Sequence, residues 1–334
     1  MTFVARNPKD VDHDVPGHPE TARRASVIME AIRQDPALKT LQVVSPDRAI
    51  TRAEVLSVHT PRLWLNLENH NGESAYLDPD TYVVPGSRGV ALGTARLSMQ
   101  VVEKSLRTGE SGFVVSRPPG HHATRDRSMG FCLLNNVAIA AAHALSLGIK
   151  RVLVFDHDVH HGNGTQDIFY DSDHVLYQSF HLTPHYPGTG QVDEIGEAAG
   201  EGFTMNAPLT RGDGEAEVRS LLENVFLPAA RSFRPDLVLF SSGFDSLEGD
   251  PLGGLALREP FFGEMVTRFR DVCPRIVAFL EGGYQLDRIG RAAVEELRAL
   301  DGKPGPIASD IKPPASEKDL RERLSPIWPT LGKK

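Results

Sequence analysis

Short apolar runs alternate with longer amphipathic stretches along this chain of 334 residues. Five runs rich in β-branched and aromatic residues predict buried strands, at 113–116, 151–155, 175–180, 237–241 and 276–280. Between them, helical spacing predicts helices at 136–147, 215–233 and 259–272. The second of these helices has an apolar stripe suited to packing on a sheet, formed by Val218, Leu221, Leu222, Val225 and Phe226.

This alternation predicts an α/β fold with three layers, in which helices cover both faces of a mostly parallel central sheet. In such sheets, ligands bind beyond the carboxyl ends of the strands. No repeat or linker interrupts the middle of the chain, so we expect a single domain over residues 1–334. The acidic segment 7–19 predicts a surface loop before a helix that starts near Thr21. The tail from about 301 holds six prolines and is expected to pack irregularly.

Composition narrows the class of protein. The chain has 36 Lys and Arg against 44 Asp and Glu, a net charge of −8, which argues against binding nucleic acid or an anionic membrane surface. Its two cysteines, Cys132 and Cys273, cannot form a disulfide framework or a Cys-rich zinc module. Residues 137–149, the longest apolar stretch, are too few to span a bilayer, and residues 1–14 lack a signal-peptide pattern. We therefore predict a soluble, cytoplasmic protein with reduced thiols.

The densest polar cluster directly follows the second predicted strand, with the sequence DHDVHHGNG at 156–164. Asp158 and His160 are two positions apart, so in extended backbone their side chains project to the same side. A carboxylate and an imidazole at one strand end can form half of a metal site. Asp and His at such positions also cap helices or bond to turns, but so dense a cluster favours the metal site.

Three further clusters follow other predicted strands. RPPGHHA at 117–123 places tandem histidines after a turn, as a candidate acid–base pair. SGFDS at 242–246 offers Asp245 as a further metal ligand. In EGGY at 281–284, the glycines allow a ligand to approach the backbone and direct Tyr284 inward. Taken singly, such residues more often have structural roles, as hydrogen-bonded histidines, a turn carboxylate or a packed tyrosine.

Together, PPGHHA, GFCLLNN, DHDVHHGNGTQ, YPGTG, GFDSLEGDP and EGGY occur in the order and spacing of the histone deacetylase-like zinc amidohydrolases. The chain resembles this family from about residue 17 to Tyr284. The resemblance implies the arginase/deacetylase fold and a metal-dependent deacetylase, a hydrolase that acts on linear amides. It also implies zinc on Asp158, His160 and Asp245, with iron(II) as an alternative metal. Three protein ligands leave one position open, as hydrolysis requires.

The same resemblance implies how catalysis proceeds. The metal makes a water more acidic, and Tyr284 stabilises the oxyanion of the tetrahedral intermediate. The spacing of the motifs pairs His121 with Asp156 and His122 with Asn163. Asn163 resembles the class II-type branch, since many members have Asp there. A neutral amide orients an imidazole without raising its pKa, so we predict a less basic His122 that accepts the proton of the water.

Two potassium ions are implied as well. The nearer is expected at Asp156, the hydroxyl of Ser179, and the carbonyls of Asp158, His160 and Phe180. The farther is expected at the main-chain oxygens of Phe169, Ser172, Val175 and Phe203. Carbonyl oxygens suit a hard monovalent ion but leave no signal in the side-chain sequence.

Other residues are implied as contacts of the substrate. Phe131 and Tyr186 resemble the walls of a narrow tunnel for an acylated methylene chain, and Gly130 lets that chain pass. Without the resemblance, core packing is the simpler interpretation of the two aromatic residues. Asp80 is a candidate for binding backbone amides of the substrate.

The leading prediction is hydrolysis of acetyl-lysine or acyl-lysine side chains in proteins or peptides. The alternative is deacetylation of small acetylated polyamines, because polyamine-preferring relatives carry Glu just after Gly-Asp-Pro. Leu252 occupies that position here and cannot pair with a distal ammonium, which favours acyl-lysine. Acidic residues that reach the rim would favour polyamines, with Glu248, Asp80, Asp10, Asp12 and Asp14 as candidates.

Two other functional hypotheses fit the sequence less well. A non-catalytic acetyl-lysine-binding protein would lack a metal ligand or Tyr284, and all are present. A binuclear manganese enzyme needs further carboxylates at 242–246, where only Asp245 occurs. The sequence is compatible with either a monomer or an oligomer.

Overall fold

The computed structural model describes residues 2–303 and 305–332. The strands are β1 (Thr2–Ala5), β2 (Gln42–Val44), β3 (Ala75–Tyr76), β4 (Tyr82–Val83), β5 (Ser111–Val114), β6 (Val152–Asp156), β7 (Val175–Leu182), β8 (Thr204–Leu209), β9 (Leu237–Ser242) and β10 (Ile276–Leu280). The α-helices are α1 (Ala22–Gln34), α2 (Arg52–Val55), α3 (Pro61–Asn69), α4 (Ser87–Thr108), α5 (Asn136–Ser146), α6 (Asn163–Phe169), α7 (Glu215–Leu221), α8 (Leu227–Phe233), α9 (Glu259–Arg270), α10 (Ile289–Leu300) and α11 (Ala315–Leu324).

The central sheet has eight strands in the order β2-β1-β5-β10-β9-β6-β7-β8, and each neighbouring pair is parallel. β3 and β4 form a separate antiparallel pair. The five predicted strands are confirmed as β5, β6, β7, β9 and β10, which are contiguous in this order of strands. The apolar runs do not indicate β1, β2 or β8, because the first two are short and β8 contains Asn206 and Pro208.

Residues of the central strands alternate between two hydrophobic clusters, one on each face of the sheet. In β6, Leu153 and Phe155 belong to the cluster that includes α1, α9 and α10. Val152 and Val154 belong to the cluster that includes α4 and α5. Because both faces are buried, the strands read as continuous apolar runs. The predicted α/β fold with three layers is confirmed.

The stretch 215–233 is helical throughout but is not one regular α-helix. α7 leads into a π-helical turn, Leu222–Phe226, which is followed by α8. Pro228 explains the irregularity, since it has no N–H and its ring crowds the carbonyl four residues earlier. The N–H of Leu227 instead donates to the carbonyl of Leu222, five residues back. The predicted apolar stripe is buried, as the clusters require.

The N-terminal segment differs from the expectation of a surface loop. Thr21 is the N-cap of α1, so the predicted start of that helix is confirmed. Within 7–19, however, Asn7, Asp10 and His13 are buried. The Arg117 guanidinium donates to the carbonyls of Asp10 and His13, and the Asn7 side chain donates to the carbonyl of Val90, so this segment packs onto the core.

The C-terminal tail is more regular than its prolines suggest. Residues 315–324 form α11, which begins directly after Pro314 and buries Leu320 and Leu324 completely. Leucines four positions apart lie on the same face of a helix, so this face can join the core. No helix in the described part of the chain is long and apolar enough to cross a membrane.

Candidate active site

The four polar clusters lie at the carboxyl ends of four adjacent strands, β5, β10, β9 and β6. The register of the sheet aligns them, because Asp156 pairs with Ser241 and Leu280 pairs with Ser242. The loops that follow therefore leave the sheet side by side. This is the edge at which the alternation of strands and helices predicts ligand binding.

Asp158, His160 and Asp245 converge although Asp245 lies far along the chain. One possible ligand atom of each lies within 4.8 Å of the others. The Nδ1 atom of His160 lies 3.0 Å from Asp158 Oδ1 and 3.2 Å from Asp245 Oδ2. Two carboxylates that share one imidazole form an oxygen and nitrogen donor set suited to a divalent metal. The residues present thus fit the predicted cation.

Backbone N–H groups hold the two carboxylates in place. The N–H of Gly282 donates to Asp158 Oδ2 at 2.7 Å, and the N–H of Val159 donates to Asp245 Oδ1 at 3.0 Å. A Cβ on Gly282 would lie 2.0 Å from Asp245 Oδ2, and one on Gly243 would lie 2.1 Å from Asp158 Oδ2. Glycine is therefore required at both positions, as the Gly-Gly turn predicts for close approach.

The charge distribution at these three residues favours a cation. Burial opposes protonation of His160, but its bonds to Asp158 and Asp245 outweigh burial and raise its pKa to about 10. Both aspartates are fully buried, while the side chain of His160 remains 12% exposed. The carboxylates thus create a negative potential that is open to solvent on one side only.

The tandem histidines have the predicted partners. His121 Nδ1 lies 3.0 Å from Asp156 Oδ2, and His122 Nδ1 lies 2.8 Å from Asn163 Oδ1. The two rings are 4.0 Å apart between centroids. Asp156 also accepts a hydrogen bond from the hydroxyl of Tyr177 at 3.1 Å. Each imidazole is thus oriented through Nδ1, which leaves Nε2 for other contacts.

The two histidines differ in basicity. Burial opposes the charged form of His121, but Asp156 and Asp158 outweigh it and raise the pKa of this histidine to about 10. The pKa of His122 lies well below its usual value, because of burial first and of the charges on His121 and His160 second. The direction agrees with the predicted low basicity of His122. The main cause of the lowered pKa of His122 is burial, whereas the prediction from the sequence rested only on the neutral charge of Asn163.

Tyr284 is positioned through its backbone and its ring. The N–H groups of Tyr284 and Gln285 donate to Asp250 Oδ2 at 2.7 Å and 2.9 Å. The Arg24 guanidinium lies 4.7 Å from the centre of the tyrosine ring, and the Phe131 ring meets it edge-on at 5.9 Å. Burial raises the pKa of Tyr284 well above its usual value, so the phenol keeps its proton. The hydroxyl is therefore a stable hydrogen-bond donor.

A buried charged cluster, Glu20 with Arg24 and Arg117, ties the loops of the site together. Arg117 Nε donates to Glu20 Oε1 at 2.6 Å, and Arg24 Nη1 donates to the same oxygen at 3.1 Å. Arg24 also donates to the carbonyls of Glu281 and Gly283, in the loop of Tyr284. All three charged side chains are 0% exposed. Sequence reasoning missed this cluster, whose signal was limited to the charge of Arg117 in RPPGHHA.

Glu281 is a further residue that sequence reasoning missed. Its Oε2 accepts the N–H groups of Gly120 and His121, at 2.6 Å and 3.1 Å. It therefore links the loop of the tandem histidines to the loop of Tyr284. Burial raises its pKa to about 7, while His121 acts in the opposite direction. Glu281 is the first residue of the EGGY motif, in which the sequence analysis considered only the glycines and the tyrosine.

A cavity of about 390 Å³ lies over the site, and Asp158, His160, the tandem histidines and Tyr284 line it. We define the base as these five residues together with Asp245, which is fully buried and is not among the residues that line the cavity. We define the rim as the loop residues around the opening: Asp80, Tyr186, Arg211 and Leu252. Gly130 and Phe131 also line the cavity, so every predicted substrate contact lies there. A Cβ on Gly130 would lie 2.5 Å from Cδ2 of His122, which explains the glycine.

The rim holds residues that sequence reasoning missed and lacks others that it considered. His185 and Arg211 line the cavity, and the His185 ring stacks on His160 at 4.7 Å. Among the described residues, the lining includes Asp80 but not Glu248 or the N-terminal aspartates Asp10, Asp12 and Asp14.

The residues expected at the potassium sites lie around β7. Asp156 and Ser179 are direct neighbours in the register of β6 and β7, and Phe180 follows. For the farther site, Phe169 ends α6 and Val175 begins β7. The carbonyls of Phe169 and Phe203 each accept one backbone hydrogen bond, from Ser172 and Tyr177. Each carbonyl oxygen keeps a second lone pair.

Known proteins resemble this chain over most of its length. The family described as Histone deacetylase domain matches residues 18–300. A "Probable deacetylase" of Methanothermobacter thermautotrophicus is 41% identical over 295 residues, 87% of this chain and 88% of that protein. "Histone deacetylase HDA1" of Saccharomyces cerevisiae is 37% identical over 86% of this chain and 45% of that protein. The crystal structure of the HDA15 HD domain has a TM-score of 0.92 at 33% identity, covering 99% of this chain and 97% of that one. The chain therefore belongs to the histone deacetylase family of hydrolases.

Proposed function

We propose that this protein hydrolyses the amide bond of acetyl-lysine or acyl-lysine side chains in proteins or peptides. The observation that carries the proposal is the convergence of three metal-ligand side chains, the tandem histidines and a protonated Tyr284 at the base of one cavity. Family membership supports an acetylated substrate. We also propose that the chain forms a single domain, since one sheet runs from β1 to β10.

Zinc is the proposed metal, held by Asp158, His160 and Asp245. Two carboxylates and one imidazole match the oxygen and nitrogen donors that zinc accepts, and iron(II) binds the same donors. When bound, the ion would polarise the amide carbonyl and make water acidic enough to attack it at neutral pH. Because His160 is partly exposed towards the cavity, substrate can reach this side of the site.

The side chains of the base have different roles in the proposed reaction. His122, neutral at physiological pH, accepts the proton of the attacking water at Nε2, since its Nδ1 faces Asn163. It then returns that proton to the leaving lysine amine. His121, whose pKa Asp156 raises, would in its charged form supply positive potential next to the developing oxyanion. The Tyr284 hydroxyl donates a hydrogen bond to the same oxyanion.

Potassium is proposed at two positions that would stiffen this frame. The nearer ion would use Asp156, Ser179 and neighbouring carbonyls, and the farther would use carbonyls around the start of β7. The adjacency of Asp156 and Ser179 in the sheet supports the nearer site. Asp156 would then hold both an ion and His121, which links monovalent salt to the orientation of the histidine.

The rim supports acyl-lysine as the substrate class. Leu252 lines the opening and has no charge with which to hold a distal ammonium. Asp80 is the observation that keeps acetylpolyamines as the second candidate, because its carboxyl group lines the cavity. On the first proposal, the same carboxyl group binds backbone N–H groups of a peptide.

Turnover on a panel of acyl-lysine peptides and N-acetylputrescine, before and after chelation, tests the proposal. We expect hydrolysis of the peptides, loss of activity with chelator and recovery with zinc. Faster hydrolysis of N-acetylputrescine than of every peptide would support the second candidate. Activity that is insensitive to chelation would contradict the mechanism.

A further inference from the structure

Arg211 is a charged rim residue to which the mechanism assigns no role. It lines the same cavity as His160 and Leu252, on the turn that follows β8. The side chain is exposed to solvent. Across residues 2–303 and 305–332, Arg211 forms no ion pair and no side-chain hydrogen bond. A guanidinium without a partner at the opening of a substrate cavity is available to bind an anion.

The turn that carries Arg211 is anchored to the loop that carries Leu252. The N–H of Gly212 donates to the carbonyl of Gly254 at 2.8 Å, and the N–H of Ala256 donates to the carbonyl of Asp213 at 2.9 Å. The carboxylate of Asp213 closes the turn by accepting the N–H of Thr210 at 2.8 Å. Three hydrogen bonds thus hold the backbone of this turn, so only the Arg211 side chain loses conformational freedom when it binds an anion.

The guanidinium of Arg211 lies against the loop that carries Leu252 and Gly254. A Cβ on Gly254 would lie 2.8 Å from Nη1 and 2.9 Å from Cζ of Arg211. The absence of a side chain at Gly254 therefore makes room for the guanidinium beside the opening. The positive charge also reaches His185, whose ring stacks on His160 at the base.

No carboxylate of these two loops forms an ion pair with Arg211 among the described residues. Asp250 Oδ1 accepts the N–H of Leu252, and its Oδ2 accepts the N–H groups of Tyr284 and Gln285. Asp213 Oδ2 accepts the N–H and the hydroxyl of Thr210. Although the chain has a net charge of −8, the rim therefore presents Arg211 as a cation without an ion-pair partner among the described residues, together with the carboxylate of Asp80.

We propose that Arg211 is a specificity-determining residue that binds a carboxylate flanking the acylated lysine, so that the preferred substrates are acyl-lysine peptides with a neighbouring Asp or Glu. This inference rests on the proposed function. Arg211 repels the distal ammonium of an acetylpolyamine for the same reason, and it acts together with the uncharged Leu252. A rim charge of this kind changes binding and approach more than the chemical step.

Acetyl-lysine peptides with a single Glu, Gln or Lys at each of the two positions on either side provide the test. For the wild type we expect kcat/KM to be about three- to tenfold higher with Glu than with Lys at one or more positions, mainly through KM. Arg211→Ala should remove this ratio and Arg211→Glu should invert it. Arg211→Glu should also raise kcat/KM for N-acetylputrescine. Added salt should reduce the wild-type ratio.

Arg231→Glu is the matched control, since Arg231 is exposed on α8 and is not among the described residues lining the cavity. It makes the same change in net charge and should keep the wild-type ratio. The inference is overturned if the ratio is near one in the wild type, survives in Arg211→Ala, or changes equally in Arg231→Glu. These outcomes leave the proposed function standing, because the peptides are still hydrolysed. Hydrolysis of N-acetylputrescine without hydrolysis of any peptide would instead overturn both.

Discussion

The base and the rim of the cavity are built in different ways. At the base, the carboxylates of Asp158 and Asp245 are 0% exposed and each accepts a backbone N–H. At the rim, Tyr186 is 36% exposed and Arg211 has no partner among the described residues. A buried, fully bonded group tolerates little change, whereas an exposed one can be exchanged at low energetic cost. We therefore expect the base to set the reaction and the rim to set the choice of substrate.

Asp245→Ala should have the largest effect, because it removes a ligand that only tertiary folding brings to the other two. We expect kcat/KM to fall by at least about a thousandfold on every substrate, since the metal supplies several kcal/mol of transition-state stabilisation. Bound zinc per chain should fall in parallel. Asp287→Ala, at an exposed position, is the control and should leave metal content and activity unchanged. A variant that keeps both would show that Asp245 is not a ligand.

Tyr284→Phe should lower kcat by about 10²- to 10³-fold with little change in KM, because it removes one donor to the oxyanion. The ring contacts with Phe131 and Arg24 remain possible, so the melting temperature should change little. Steady-state kinetics and thermal unfolding measure the two effects. Tyr76→Phe, on the exposed β3, is the matched control. A loss confined to KM would place the hydroxyl in substrate binding instead.

Glu20→Gln tests how much the buried charged cluster contributes to stability. Removing one partner leaves Arg24 and Arg117 uncompensated, so we expect the free energy of unfolding to fall by about 3–5 kcal/mol at pH 7. Urea unfolding measures this change. Glu30→Gln, which alters an exposed pair with Arg33, should have little effect.

The same cluster predicts a pH dependence. Burial opposes ionisation of Glu20, but Arg117 and Arg24 outweigh it and lower its pKa to about 2. A lowered carboxyl pKa stabilises the folded state above the usual value near 4.5, and this stabilisation is lost as pH falls towards 2. The stability difference between wild type and Glu20→Gln should therefore shrink below pH 4.5. A difference that is constant down to pH 2 would contradict this assignment.

Leu252→Glu should have the smallest effect and should act on one substrate class only. A carboxylate at the rim can pair with a distal ammonium, which raises kcat/KM for N-acetylputrescine by about two- to fivefold. Activity on neutral acetyl-lysine peptides should stay near that of the wild type. Leu252→Gln has the same length without the charge and serves as control. Equal gains with Gln and Glu would show that size, not charge, limits the polyamine.

Much of the base was predictable because its residues follow strands that the sequence marks with clear apolar runs. The apolar runs located β5, β6, β9 and β10, and each is followed by a motif of chemically unusual residues. The carboxyl ends of parallel strands lie at one edge of the sheet, so the sequence alone predicts that Asp158, His160 and Asp245 lie close together. The short β1 and the irregular β8 carried no such pattern, because their strand conformation depends on pairing with neighbours.

The amino-acid sequence by itself determined the fold class and the family, and it predicted the side chains proposed to carry the chemistry. Only the tertiary structure showed that Glu20 joins Arg24 and Arg117, and that Arg211 has no ion-pair partner within residues 2–303 and 305–332. The reason is physical. Periodicity and motifs report local conformation, whereas burial and charge pairing depend on contacts between segments far apart in the chain. The amino-acid sequence alone does not distinguish an arginine in a buried ion pair from an exposed arginine at the rim.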